Sequence, residues 1–165
     1  MMQRLFSAVP NIATERSAFG GASNGAHVTA VLLAGQDEFI LRHFSSFFFW
    51  EGGADILAGH VLEKIVSKDC RFLVMRGDQP SQAEPWFREY YTHLCRALEL
   101  AAEANHLDFT SVVVRGYGHE FPPEYFPVID KWVRRGIAER LASADGRQPF
   151  CSGTNRTSLA AASRR

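Results

Sequence analysis

The sequence predicts an α/β chain with a mostly parallel sheet of about four strands flanked by helices. Two observations predict it. Four short apolar runs, "ERSAFGG", "HFSSFFFW", "CRFLVMRGD" and "FTSVVVRGYGHE", each run into glycine. Each is followed by a segment with helical character. Strand and helix thus alternate four times. Parallel neighbours need a crossover between them, so this alternation argues for parallel pairing.

The elements follow in order. Residues 2–9 read as the end of a helix closed by Pro10 and Asn11. "ERSAFGG" is the first strand. "NGAHVTAVLL", residues 24–33, is apolar nearly all round, which predicts a buried helix. "HFSSFFFW", residues 43–50, is short and aromatic, as a strand is, and "EGG" breaks it. Residues 55–66 read as a helix with Asp55 as N-cap. "CRFLVMRGD" is a buried strand entering a loop. Residues 83–104 place Trp86, Tyr90, Leu94, Ala97, Leu98 and Ala101 at helical spacing. "FTSVVV" is the fourth strand. Residues 123–141 put Tyr125, Ile129, Trp132, Val133, Ile137 and Leu141 on one helical face, with Pro123 near its start. Residues 1–142 form the expected domain, and 143–165, rich in Ser, Ala, Arg and Gly without periodicity, a flexible tail.

Composition narrows the function classes. The 165 residues suit one domain, and 46% hydrophobic content can fill its core. Eighteen basic residues balance eighteen acidic ones, so no electrostatic footprint for nucleic acid or an anionic membrane is present. No apolar run reaches the length of a membrane span, and the N-terminus lacks the apolar stretch of a signal peptide. Cys70, Cys95 and Cys151 are scattered and form no CxxC pair, which predicts reduced thiols and a cytoplasmic protein. His119-Glu120 is followed by Phe-Pro-Pro rather than completing HExxH, so neither metal nor organic cofactor is expected.

Gly21-Ala22-Ser23-Asn24-Gly25 fits G-x-S-x-G between a strand and an apolar helix. A serine hydroxyl needs a base to take its proton, and the base needs a partner that fixes its tautomer. His119 and Asp78 supply those types, and both follow later strands, where functional loops of parallel sheets gather. The order is Ser, Asp, His, as in the α/β-hydrolase arrangement. Gly21 and Gly25 spare the sharp turn a collision, and the Asn24 N–H, opening the helix, is an oxyanion donor. Glu51, Asp55, Glu84 and Glu120 are rival acids, Glu120 being next to the base in sequence and expected to point away. His27, within an apolar helix, reads as a hydrogen-bonded core residue. Phe47, Phe48, Phe49 and Trp50 read as core, with Trp50 and Glu51 as a secondary candidate for an acyl-binding wall.

"ERSAFGGASNGAHVTAVLL", "RFLVMRGDQ" and "VVVRGYGHEFPPEYFPVIDKWV" resemble the C-terminal half of an α/β-hydrolase. The closest resemblance is to the esterase group that includes the enterochelin esterase and esterase D types, over roughly residues 12–141. It implies a partial α/β-hydrolase fold, with Ser23 as nucleophile, His119 as general base and Asp78 as orienting acid acting on a small-molecule ester. The family's sheet has about twice the strands counted here. The chain is therefore expected to lack the N-terminal half of the fold and one oxyanion donor, as a truncated, weakly active carboxylic ester hydrolase. Two alternatives stay open: a non-catalytic remnant or partner-completed half-domain that self-associates through an exposed sheet edge, and an acyltransferase on the same scaffold.

Overall fold

The computed structural model describes Arg4, Ser7, Ala8 and residues 17–58, 70–79, 85–121 and 123–144. Four strands, β1 (Ala18–Ala22), β2 (Ser46–Trp50), β3 (Arg71–Gly77) and β4 (Asp108–Val114), make one sheet in the order β1-β2-β3-β4. Every pair is parallel, as expected. The helices are α1 (Asn24–Ala34), α2 (Glu38–His43), the short α3 (Ala54–Ile56), α4 (Pro85–Ala104) and α5 (Phe126–Ala144). A 3-10 turn at Pro123–Tyr125 leads into α5. Among the described residues, no helix is long and apolar enough to cross a membrane.

Period-two alternation divides the core. Phe47, Phe49, Phe72 and Val74 point to one face, where α1, α2 and α4 cover them. Trp50, Leu73 and Met75 point to the other, where α5 lies with Ile129, Trp132 and Val133. Phe47, Phe49 and Trp50 are each 0% exposed. Burial of side chains this large stabilises by about 1.5–3 kcal/mol apiece. The aromatic run of β2 therefore binds both layers to the sheet.

Several expectations are corrected. α1 is not buried all round: Ala26, Thr29, Ala30 and Leu33 face the sheet, while Val28 and Val31 are 58% and 55% exposed. In α4 the buried stripe is Tyr91, Cys95, Leu98 and Ala102, and Trp86 and Tyr90 face outward. Two apolar stripes overlap on that helix, and the sheet selects the one displaced by a residue. Asp55 is not an N-cap: α3 starts at Ala54, behind a left-handed Gly53. The six-residue α2 is capped by Asp37, whose carboxylate accepts from the Ile40 N–H at 2.9 Å. It is too short for its periodicity to announce it. Residues 143 and 144, assigned to the tail, continue α5. The rest of that tail, the helix expected at 2–9 apart from Arg4, Ser7 and Ala8, and residues 59–66 lie outside the described residues.

One buried cation joins the bottom of the sheet to α5. Arg71, at the start of β3, donates from Nε to the Asp108 carboxylate on β4 and from Nη1 to the Trp132 carbonyl at 3.1 Å. Its guanidinium also lies 5.0 Å from the Trp132 ring centre. The group fits because residue 136 is glycine: a Cβ there would stand 1.6 Å from Arg71 Nη1. Glycine to alanine inside a helix normally stabilises. Here Gly136→Ala is expected to destabilise, by about 1–3 kcal/mol, read as a lower urea midpoint at unchanged slope.

Candidate active site

Parallel pairing brings all four strand ends to one edge of the sheet. Ser23 follows β1 and Glu51 follows β2, and both residues adopt positive φ, 51° and 49°. Non-glycine residues rarely do so, and the conformation costs about 1–3 kcal/mol. It turns each side chain off its strand. The backbone ladder continues past the strands to hold these turns: the Ser23 N–H donates to the Trp50 carbonyl at 2.8 Å, and the Glu51 N–H to the Met75 carbonyl at 3.1 Å.

Ser23 is thus the strained corner between β1 and α1, with φ 51° and ψ −118°. Gly21 is needed there, since a Cβ on it would meet the Gly25 carbonyl carbon at 2.7 Å. Gly25 is not needed for space, because a Cβ on it would meet nothing within 4 Å. Its backbone, rather than its missing side chain, is what Gly21 accommodates. Asn24 is the first residue of α1, so its N–H has no acceptor within the helix. His27 is half-buried: its Nδ1 lies 3.0 Å from the Ser23 carbonyl and its Nε2 3.4 Å from Asp55.

His119 arrives from the loop after β4, and its Nε2 lies 2.8 Å from Ser23 Oγ. For the serine hydroxyl to donate along that line, Nε2 must carry the lone pair and Nδ1 the proton. Nδ1 then faces a carboxylate, and the nearest is that of Glu51, with Oε2 at 3.9 Å. Glu51 is fully buried, whereas the His119 side chain is 49% exposed. Glu51 Oε1 accepts from the Gly77 N–H at 2.5 Å and from Arg88 Nη1 at 2.6 Å. Arg88 also donates to the carbonyls of Gly77 and Gln79, each at 2.9 Å. Oε2 has no hydrogen-bond partner among the described residues. Buried polar atoms are rarely left so.

The structure therefore joins Ser23 and His119 and leaves Asp78 apart. Asp78 is exposed, and its Oδ1 accepts from the Gly116 N–H at 2.7 Å and from Gln79 Nε2 at 2.9 Å. Slight burial opposes its ionisation, but the Gly116 and Gln79 hydrogen bonds and nearby Arg115 outweigh it and hold the carboxyl below its ordinary value of 3.8. The cause of the misplacement is register. Ala22 aligns with Trp50, and Trp50 with Met75, so β3 runs two residues past β2. At about 3.3 Å per residue, Asp78 is carried beyond the level of Ser23. Glu51 stays at that level. The signal for Glu51 was a lone carboxylate after four consecutive aromatics and before two glycines. Strand length, which decides between the acids, is not written in the motif. Asp55 lies against His27 instead, and Glu84 is outside the described residues.

No known family model and no curated protein matches this chain.

The Glu51–Arg88 pair is buried, with side chains 0% and 11% exposed. Removing only the cation leaves a carboxylate in a dry place. Arg88→Met is expected to cost about 3–5 kcal/mol in urea unfolding. Adding Glu51→Gln to Arg88→Met should restore part of that loss, and strictly additive losses would contradict the pairing.

Proposed function

We propose that the chain is a serine hydrolase of α/β-hydrolase ancestry that cleaves a carboxylic ester with Ser23, His119 and Glu51. The observation that carries this reading is the buried, unpartnered Oε2 of Glu51, 3.9 Å from Nδ1 of a histidine whose Nε2 is 2.8 Å from a strained serine. A structural carboxylate would use both oxygens. This one spends Oε1 on Gly77 and Arg88 and keeps Oε2 for the imidazole. The 3.9 Å contact is longer than a hydrogen bond, and such contacts tighten when substrate and transition state occupy the site.

In this reaction Ser23 Oγ attacks the ester carbonyl as its proton passes to His119 Nε2. The carbonyl oxygen becomes an oxyanion, facing the Asn24 N–H at the positive end of α1. The imidazolium is stabilised by Glu51 through Nδ1–H. Collapse breaks the bond to the alkoxy group, which takes the proton from Nε2 and leaves as alcohol. Water then gives a proton to Nε2 and attacks the acyl-serine, and collapse breaks the acyl–serine bond, returns that proton from Nε2 to Ser23 Oγ and releases the acid. An alcohol in place of water would make the same site an acyltransferase.

A second reading, a half-domain completed by a partner chain, is favoured by β1. Among the described residues it pairs with β2 alone, and α1 beside it exposes Val28 and Val31. Open edges with apolar surroundings invite pairing. Under that reading, sedimentation should show self-association that rises with concentration, and a compact monomer at all concentrations counts against it.

The enzymatic reading is tested by three substitutions in folded protein. Ser23→Ala should abolish both short-chain ester cleavage and labelling by a fluorophosphonate. Glu51→Gln should lower kcat by about 10²- to 10⁴-fold. Asp78→Asn should stay within about threefold of the parent, as an exposed change away from the chemistry does. The reverse ranking of the two acids would return the orienting role to Asp78.

A further inference from the structure

We infer that Trp50 is a positioning residue that fixes the base against the nucleophile, an inference that deepens the proposed hydrolase reading and rests on it for its catalytic part. Trp50 is 0% exposed and ends β2 immediately before Glu51. Its carbonyl accepts the Ser23 N–H at 2.8 Å. Its indole Nε1–H donates to the His119 carbonyl at 3.0 Å, across a sequence separation of 69 residues. One residue thus holds the main chain of both reacting groups.

The loop carrying His119 is tied at its start, where the Gly116 N–H donates to Asp78 Oδ1 at 2.7 Å and buried Gly118 packs over Gly77, and the indole matters because it acts beyond those ties, at His119 itself. His119 and Glu120 are exposed, and Phe121 is half-buried. Tyr117 is tied through its carbonyl, which accepts the Gln79 N–H at 2.9 Å. Beyond Tyr117, the Trp50 indole supplies the one hydrogen bond from the sheet to the main chain of His119 among the described residues. The Phe121 ring packs edge-on against Trp50 at 5.6 Å and closes the loop down on it. The Phe87 ring lies near-perpendicular to the His119 imidazole with 6.3 Å between ring centres. The indole therefore sets the height of the loop, and the height sets the 2.8 Å between Nε2 and Oγ. Trp132 provides an internal comparison. It is also a buried tryptophan of the same core layer, but its indole nitrogen has no hydrogen-bond partner among the described residues.

The experiment compares Trp50→Phe with Trp132→Phe. Both remove the same ring volume from one core layer, and only the first removes a donor to His119. In Trp50→Phe the fluorophosphonate labelling rate and kcat should fall about 10- to 100-fold, the scale of a small misplacement of a reacting group, with KM little changed. Hydrogen exchange over residues 115–121 should speed up. Trp132→Phe should lose stability without either effect. Equal labelling and equal loop exchange in the two variants would overturn the inference. A parent protein that takes no label overturns the hydrolase reading instead, and loop exchange then decides the tie by itself. If Trp50→Phe does not fold, the indole N–H signals of the labelled parent decide. A shallow temperature dependence for Trp50 beside a steep one for Trp132 supports the bond, and equal dependence overturns it.

Discussion

The buried ion pair of Glu51 and Arg88 is the constraint around which the edge of the sheet that carries the candidate site is arranged. An isolated carboxylate in that position would be neutralised or driven out to water. Arg88 supplies the compensating charge, and in doing so it joins β2, β3 and α4 at one point. The Gly77 N–H completes the coordination of the same oxygen. Because these groups converge on Oε1, the carboxylate cannot rotate freely, and Oε2 is left aimed at the loop that bears His119. Pairing a buried charge often brings little net stability. Its effect here is directional: it selects which oxygen of which acid meets the imidazole.

Strain is distributed in the same spirit. Of the four non-glycine residues with positive φ among the described residues, Gln36 and His106 follow the ends of α1 and α4, where left-handed residues are common. The other two, Ser23 and Glu51, close adjacent strands. The sheet holds them there through backbone bonds that continue its ladder by one step. Stability elsewhere in the molecule, above all the aromatic run of β2 gripped by both layers, offsets the cost of these two corners.

The parts of this architecture that depend on local pattern were legible in the sequence. The four strands, the long helices, the parallel pairing and the Ser23–His119 approach all follow from periodicity, glycine punctuation and the rule that loops gather at strand ends. The parts that depend on length relative to a neighbour were not. Asp78 has the right type and chain order, yet two extra residues in β3 carry it past the histidine. Glu51 appeared among the rival acids, but nothing local says that β2 stops level with Ser23. The face of α4 failed for a related reason: two apolar stripes satisfy the same spacing, and only the sheet beneath distinguishes Tyr91 from Tyr90. The free valines of α1 likewise reflect where neighbours are, not what the helix is made of.

The alternation of β2 also governs how this gene can change. Phe47 and Phe49 serve one layer, Trp50 the other, and Glu51 the site beyond. Substitutions at Phe47 and Phe49 exchange one hydrophobic volume for another and can be absorbed by repacking. A change of length cannot. Losing or gaining a single codon there would invert every later side chain of the strand, sending the indole away from His119 and the carboxylate away from the imidazole together. Drift in this segment is therefore confined to replacement, and a change of length is absorbed only in connections away from the strand ends.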